Sequence, residues 1–189
     1  MFRRLARFFA LVCPPTAIGL AALLLVHPAN VGAESAASRE DRIKAALVFK
    51  LVKFVDWPAA MMAGKEPIQI CSFGDSPVAE ALSAVDGRPA RDRTAQFRKL
   101  GALSAAEAKG CHVLFVAGNA REIAGGLPSA ARGRGVLTVS DGPDFARRGG
   151  MIGLARGENR VAFEINLRAA RDSGLEPGAP LLELATIVE

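Results

Sequence analysis

Between residues 39 and 56 apolar side chains recur at intervals of three and four: Ile43, Ala46, Leu47, Leu51, Phe54 and Val55, with Lys50 in the same stripe. That spacing predicts an amphipathic helix, with Ser38 as its cap. Pro58 restricts Trp57 and ends the helix. At 67–73 the period changes to two, and PIQICSF reads as a strand. Gly74-Asp75-Ser76-Pro77 then offers a turn, an N-cap and a first-turn proline for a helix reaching Val85. A strand is predicted at 94–100, a short helix near 104–108, and a helix from 119 to about 131. The runs 112–116 and 135–140 are apolar and glycine-bounded, as in strands buried on both faces of a parallel sheet.

The pattern shifts at Met151. Residues 151–154 and 161–165 are strand-like on either side of the polar Arg156-Gly157-Glu158-Asn159, which predicts an antiparallel hairpin with Val161, Phe163 and Ile165 inward and Ala162 and Glu164 outward. Asn166 caps a helix through Asp172, Gly174 stops it, and Pro180 begins a final helix through Val188. The alternation of strands and helices predicts an α/β fold: a single layered domain with a mixed, mostly parallel sheet flanked by helices, and a C-terminal antiparallel hairpin plus helices.

The first 33 residues stand outside this pattern. Arg3, Arg4 and Arg7 precede an uncharged, mostly apolar run at 8–26, and Val31-Gly32-Ala33 supplies small residues for cleavage, so the segment reads as a secretory signal with Glu34 as the new N-terminus. An uncleaved anchor is the competing reading of so long a run. Val12 before Cys13 argues against a lipid-modified N-terminus. Removing residues 1–33 from 189 leaves 156, enough for one domain, and lowers the formal charge from +5 to +2 because three arginines leave. A nearly neutral domain points to neither nucleic acid nor an anionic membrane as partner.

Candidate chemistry is sparse. The domain holds one histidine, His112, no tyrosine and two cysteines. At a strand entry His112 reads as structural rather than as a base, no catalytic residue is assigned, and the ligands of a transition-metal site are lacking. Cys71 and Cys111, an even pair in an exported chain, argue for a disulfide; two buried thiols are the alternative. Gly74-Asp75-Ser76-Pro77 lies where α/β folds bind ligands but has no GxGxxG or GxxxxGKS pattern, and a capped helix entry explains it; no cofactor is assigned. Asp141-Gly142-Pro143-Asp144 reads as a cap for the DFARR turn, and Arg147-Arg148-Gly149-Gly150 as a solvated turn rather than an anion-binding nest. Phe54, Trp57 and Pro58 cluster at the first helix's exit; core packing and an interface role are both open for Trp57.

Four blocks, AALVFKLVKFVDWP (45–58), IQICSFGDSP (68–77), GCHVLFVAG (110–118) and the stretch from Gly135 to Gly174, together span nearly all of the domain. In them the chain resembles the YfiR-like family of small periplasmic proteins. The resemblance implies a periplasmic regulator that binds the sensor domain of an inner-membrane diguanylate cyclase of the YfiN type and keeps its output low. It also implies paired cysteines, homodimers, and release by a competing outer-membrane-associated protein. Some relatives carry a second cysteine pair near the turn that here reads DFARRGGMIG, where this chain has none. Phe54 and Trp57 are the candidate partner-binding residues. A soluble small-molecule sensor module is the alternative function, and an enzyme the third.

Overall fold

A computed structural model describes residues 37–119, 135–156 and 161–189, all of which belong to one compact unit, Glu34–Glu189. Helix α1 (Arg39–Phe54) starts in a capping box: the Asp41 amide donates to Ser38 Oγ at 3.2 Å, and the Ser38 amide donates to the Asp41 carboxylate at 3.0 Å. Its buried face is Ala45, Val48, Leu51 and Val52, continued by Val55. Of the positions at helical spacing, Leu51 and Val55 are in the core and Leu47 packs half-buried against it, while Ile43 and Phe54 are 46% and 40% exposed and Ala46 and Lys50 are also exposed.

The helix ends two residues early. Val55 is extended, and β1 (Val55–Asp56) pairs antiparallel with β9 (Glu176–Pro177) in a small second sheet. Strand β2 (Ile68–Phe73) leads to α2 (Pro77–Leu82), capped by Ser76 Oγ accepting from the Ala79 amide at 3.1 Å, and a 3-10 turn carries the helix on to Val85. Next come β3 (Pro89–Ala90), β4 (Arg93–Leu100), α3 (Ala105–Ala108) and β5 (Val113–Val116). The helix predicted at 119–131 lies outside the described residues. Then follow β6 (Leu137–Ser140), β7 (Ile152–Arg156), β8 (Val161–Asn166), α4 (Leu167–Asp172) capped by Asn166, α5 (Ala179–Leu182) and β10 (Thr186–Val188).

Among the described residues eight strands form one sheet in the order β10-β8-β7-β6-β5-β2-β4-β3. The ladders from β4 to β7 and that of β8 with β10 are parallel, while β7–β8 and β3–β4 are antiparallel, giving the mixed, mostly parallel sheet that alternating strands and helices predict. Phe163 and Ile165 of the hairpin point into the core and Ala162 and Glu164 stay half-buried. Alternation divides the core into two layers: Ile68, Ile70, Val113 and Phe115 pack with α1 and α2, while Cys71, Phe73, Leu114 and Val116 pack on the opposite face with Ala108 and Phe145.

The predicted C-terminal helix through Val188 is also corrected. Pro180 opens only the single turn of α5, after which the chain extends and Thr186, Ile187 and Val188 lie parallel to β8 opposite Glu164, Ile165 and Asn166. Two β-branched neighbours and a third, met by an open strand edge, favour the ladder over a second helical turn.

Candidate partner-binding site

The exit of α1 joins a network of buried and half-buried polar contacts to an exposed ring. Trp57 is 9% exposed and belongs to the core, and its indole N–H donates to the His112 carbonyl at 3.3 Å. Its ring meets the His112 imidazole edge-on at 6.4 Å between centroids. Phe54, one turn earlier, is exposed instead.

His112 is engaged through both ring nitrogens. The Gln69 amide donates to Nδ1 at 3.1 Å, so Nδ1 must be the unprotonated nitrogen, and Nε2–H then donates to the Met61 carbonyl at 3.1 Å. Burial pulls the imidazole below its ordinary 6.5; the Met61 bond opposes that pull and the Arg93 charge adds to it. A ring fixed on both sides and kept neutral is a brace between β2, β5 and the loop after Trp57.

Two arginines complete the frame. Arg91, at φ 55°, donates from Nε to the Val52 carbonyl at 2.8 Å and from Nη2 to the Val55 carbonyl at 2.6 Å, satisfying the open carbonyls at the C-terminus of α1. Its guanidinium also lies 5.8 Å from the Trp57 ring centroid. Arg93 donates to the Met62 and Glu66 carbonyls at 2.6 and 3.3 Å, pinning the loop between Trp57 and β2. Sequence reasoning passes over both residues, because arginines that bond carbonyls 27 to 39 positions away leave no local pattern.

Cys71 and Cys111 form a disulfide on the opposite face of the sheet, with both residues fully buried. Arg98 on β4 covers it: one guanidinium nitrogen lies 3.4 Å from Cys111 Sγ and 3.8 Å from Cys71 Sγ and donates to the Glu107 and Lys109 carbonyls.

The loops singled out for ligand chemistry are engaged internally. Ser76 caps α2, Asp75 pairs with Lys99 at 2.5 Å, and Asn119 donates to the Asp75 carbonyl at 3.0 Å, tying together the carboxyl ends of β2 and β5. Asp141 does not cap the DFARR turn: its carboxylate accepts from the Gly118 amide at 2.8 Å. Gly118 must be glycine there, since a Cβ would lie 2.5 Å from the Gly142 backbone. In the arginine-glycine turn the amides of Arg148, Gly149 and Gly150 donate to the carbonyls of Asp144, Ala146 and Phe145, so none of the three points at an anion. A groove of about 420 Å³ between α2 and β4 is lined by Ser72, Asp75, Ser76, Phe97 and Lys99 among others, and the buried Ser72 hydroxyl has no hydrogen-bond partner among the described residues. Among the described residues no group of three His, Cys, Asp or Glu side chains is placed to hold a metal ion, and no helix is long and apolar enough to cross a membrane.

A search of curated proteins found no match. The YfiR/HmsC-like family model matches residues 41–186, which takes in α1 from Asp41 onward, the Trp57 brace, the disulfide and every described strand of the sheet up to the start of β10. By that match, extending over most of the sequence, the chain belongs to the YfiR/HmsC-like family.

Proposed function

We propose that this protein is an exported regulator that binds the periplasmic sensor domain of an inner-membrane diguanylate cyclase and holds its output low. The observation that carries this reading is the family match over 41–186. Residues 1–33 serve as the export signal, cut after Ala33, and the mature chain acts by binding rather than by catalysis. An inhibitor of this kind works by preferring the inactive receptor, each tenfold preference being worth about 1.4 kcal/mol. Phe54, exposed at the α1 exit, is the side chain that touches the partner, and Trp57 packs in the core. A homodimer is the working state, and an outer-membrane-associated protein that competes for it relieves the repression.

The test is genetic and biochemical together. Deleting the gene should raise cyclic-di-GMP and surface attachment in a host carrying the cognate cyclase, and an exported copy should restore the low state. Unchanged cyclic-di-GMP on deletion would sink the reading for that host. A second reading, a small-molecule sensor module, is favoured by one observation, the unpartnered Ser72 hydroxyl in the groove beside α2. A thermal-shift screen that finds a stabilising ligand for the wild type but not for Ser72→Ala would support it.

A further inference from the structure

Helix α1 buries one face and leaves the other bare, and the bare face has a definite chemistry. Arg39, Arg42, Lys50 and Lys53 are exposed there, interleaved with Ile43 and Phe54. At about 100° per residue these six fall within an arc of about 120°, opposite Ala45, Val48 and Val52. No carboxylate shares the arc. Glu40 pairs with Lys44 at 3.0 Å and Asp41 closes the capping box, both off the stripe. Among the described residues, Arg39, Lys50 and Lys53 have no ion-pair partner, and Arg42 donates to the Ala37 carbonyl. From Glu34 onward the formal charge is +2, so +2 less these four cations leaves −2 for everything else. The stripe is thus a local excess of positive charge about 22 Å long on a slightly acidic body.

We infer that this face of α1 is the docking surface for an acidic protein segment, one that presents carboxylates around apolar side chains fitting between Ile43 and Phe54. The inference rests on the regulator reading above and names the partner's chemistry. A second copy of this chain is a poor occupant, because a twofold contact through the stripe sets its cations against their own copies. A lipid surface is also a poor one. A helix lying on a membrane gives its apolar face to the acyl chains, and here that face is spent on the core. The cations serve to accelerate and orient encounter, and the two apolar groups, desolvated on contact, serve to slow release.

The experiment measures association and dissociation rates between the purified mature chain and the periplasmic domain of the cognate cyclase at about 50 and about 300 mM salt. The wild type should bind, and more slowly at high salt. Lys50→Glu with Lys53→Glu should slow association by about tenfold at low salt and flatten the salt dependence, with Lys50→Gln and Lys53→Gln intermediate. Phe54→Ala should raise the dissociation rate by about tenfold with little change in association. Circular dichroism checks that each variant keeps its fold, and the glutamine pair, which leaves no repulsion within the helix, keeps the test valid if the glutamate pair does not fold. Wild-type binding with unchanged rates in the variants overturns the docking face and leaves the regulator reading standing. Absence of wild-type binding overturns both. Sedimentation of the wild type, but not the charge-reversed protein, with phosphatidylglycerol vesicles would assign the stripe to a membrane and overturn the protein partner.

Discussion

Replacing both Cys71 and Cys111 by alanine should destabilise the domain more than any change on its surface. The bridge closes a 40-residue loop that takes in α2, β4 and α3 and ties β2 to the entry of the neighbouring β5. In the chain-entropy model, opening a loop of that length returns about 4 kcal/mol to the unfolded chain. Both residues are fully buried beside Leu100, Ala108, Leu114 and Val116, so the missing sulfurs also leave small voids, worth about 1 kcal/mol each. For a domain of this size each kcal/mol moves the melting temperature by about 2–4 °C, so the entropic part alone amounts to about 8–16 °C. Scanning calorimetry should be run on three samples: oxidised wild type, wild type refolded under reductant, and the double alanine variant. Refolding is needed because a reductant reaches sulfurs at zero exposure only when the sheet opens. The reduced protein keeps its sulfur volume and should melt between the other two. Arg98 keeps its bonds to the Glu107 and Lys109 carbonyls without the bridge, so the fold should survive each treatment. A decrease under about 2 °C in the double variant would refute the loop-entropy argument.

Stability should also depend on pH through His112. Burial lowers the folded-state pKa below 6.5, so the unfolded chain binds the extra proton more readily; stability from this group is complete above 6.5 and lost as pH falls through the lower folded value. Urea midpoints measured from about pH 8 down to about pH 5 should drop on that limb only, and a His112→Gln variant should flatten it. Arg91→Ala should cost about 2–3 kcal/mol by uncovering the Val52 and Val55 carbonyls, and Arg91→Gly about 1 kcal/mol less, because φ 55° suits glycine; equal midpoints for the two would show that the backbone is unstrained there. Gly150→Ala should be strongly destabilising, since its Cβ would sit 2.2 Å from the Phe145 ring, and a Gly150→Ala, Phe145→Leu pair that melts above the single variant would confirm the clash.

Strands buried on both sides are legible because their signal is local: 112–116 and 135–140 are short apolar runs between glycines, and each holds a central strand. Caps are legible for the same reason, as Ser38, Ser76 and Asn166 each bond an amide within three residues. What escapes is whatever a distant partner decides. Thr186–Val188 becomes a strand because β8 offers an edge, and β1 and β9 exist only as each other's partners across 120 residues of chain. The brace around Trp57 escapes likewise, since Arg91, Arg93 and His112 are brought to it by β3, β4 and β5.

The inward face of α1 is what its period leaves open. Apolar residues occur on both sides of this helix, so their period of 3.6 identifies the helix and leaves two directions for its core. Weighting the larger side chains selects Ile43, Leu47 and Phe54; the core instead takes Ala45, Val48 and Val52 together with Leu51. A contrary sign stands in the sequence: the selected stripe includes Lys50 and is flanked by Arg39, Arg42 and Lys53, four charges whose burial would cost far more than exposing one isoleucine and one phenylalanine. Where size and charge disagree about a helix's inward side, the charge should decide. Apolar groups left outside among those charges then need a reason to be there, and a surface made to meet a partner supplies one.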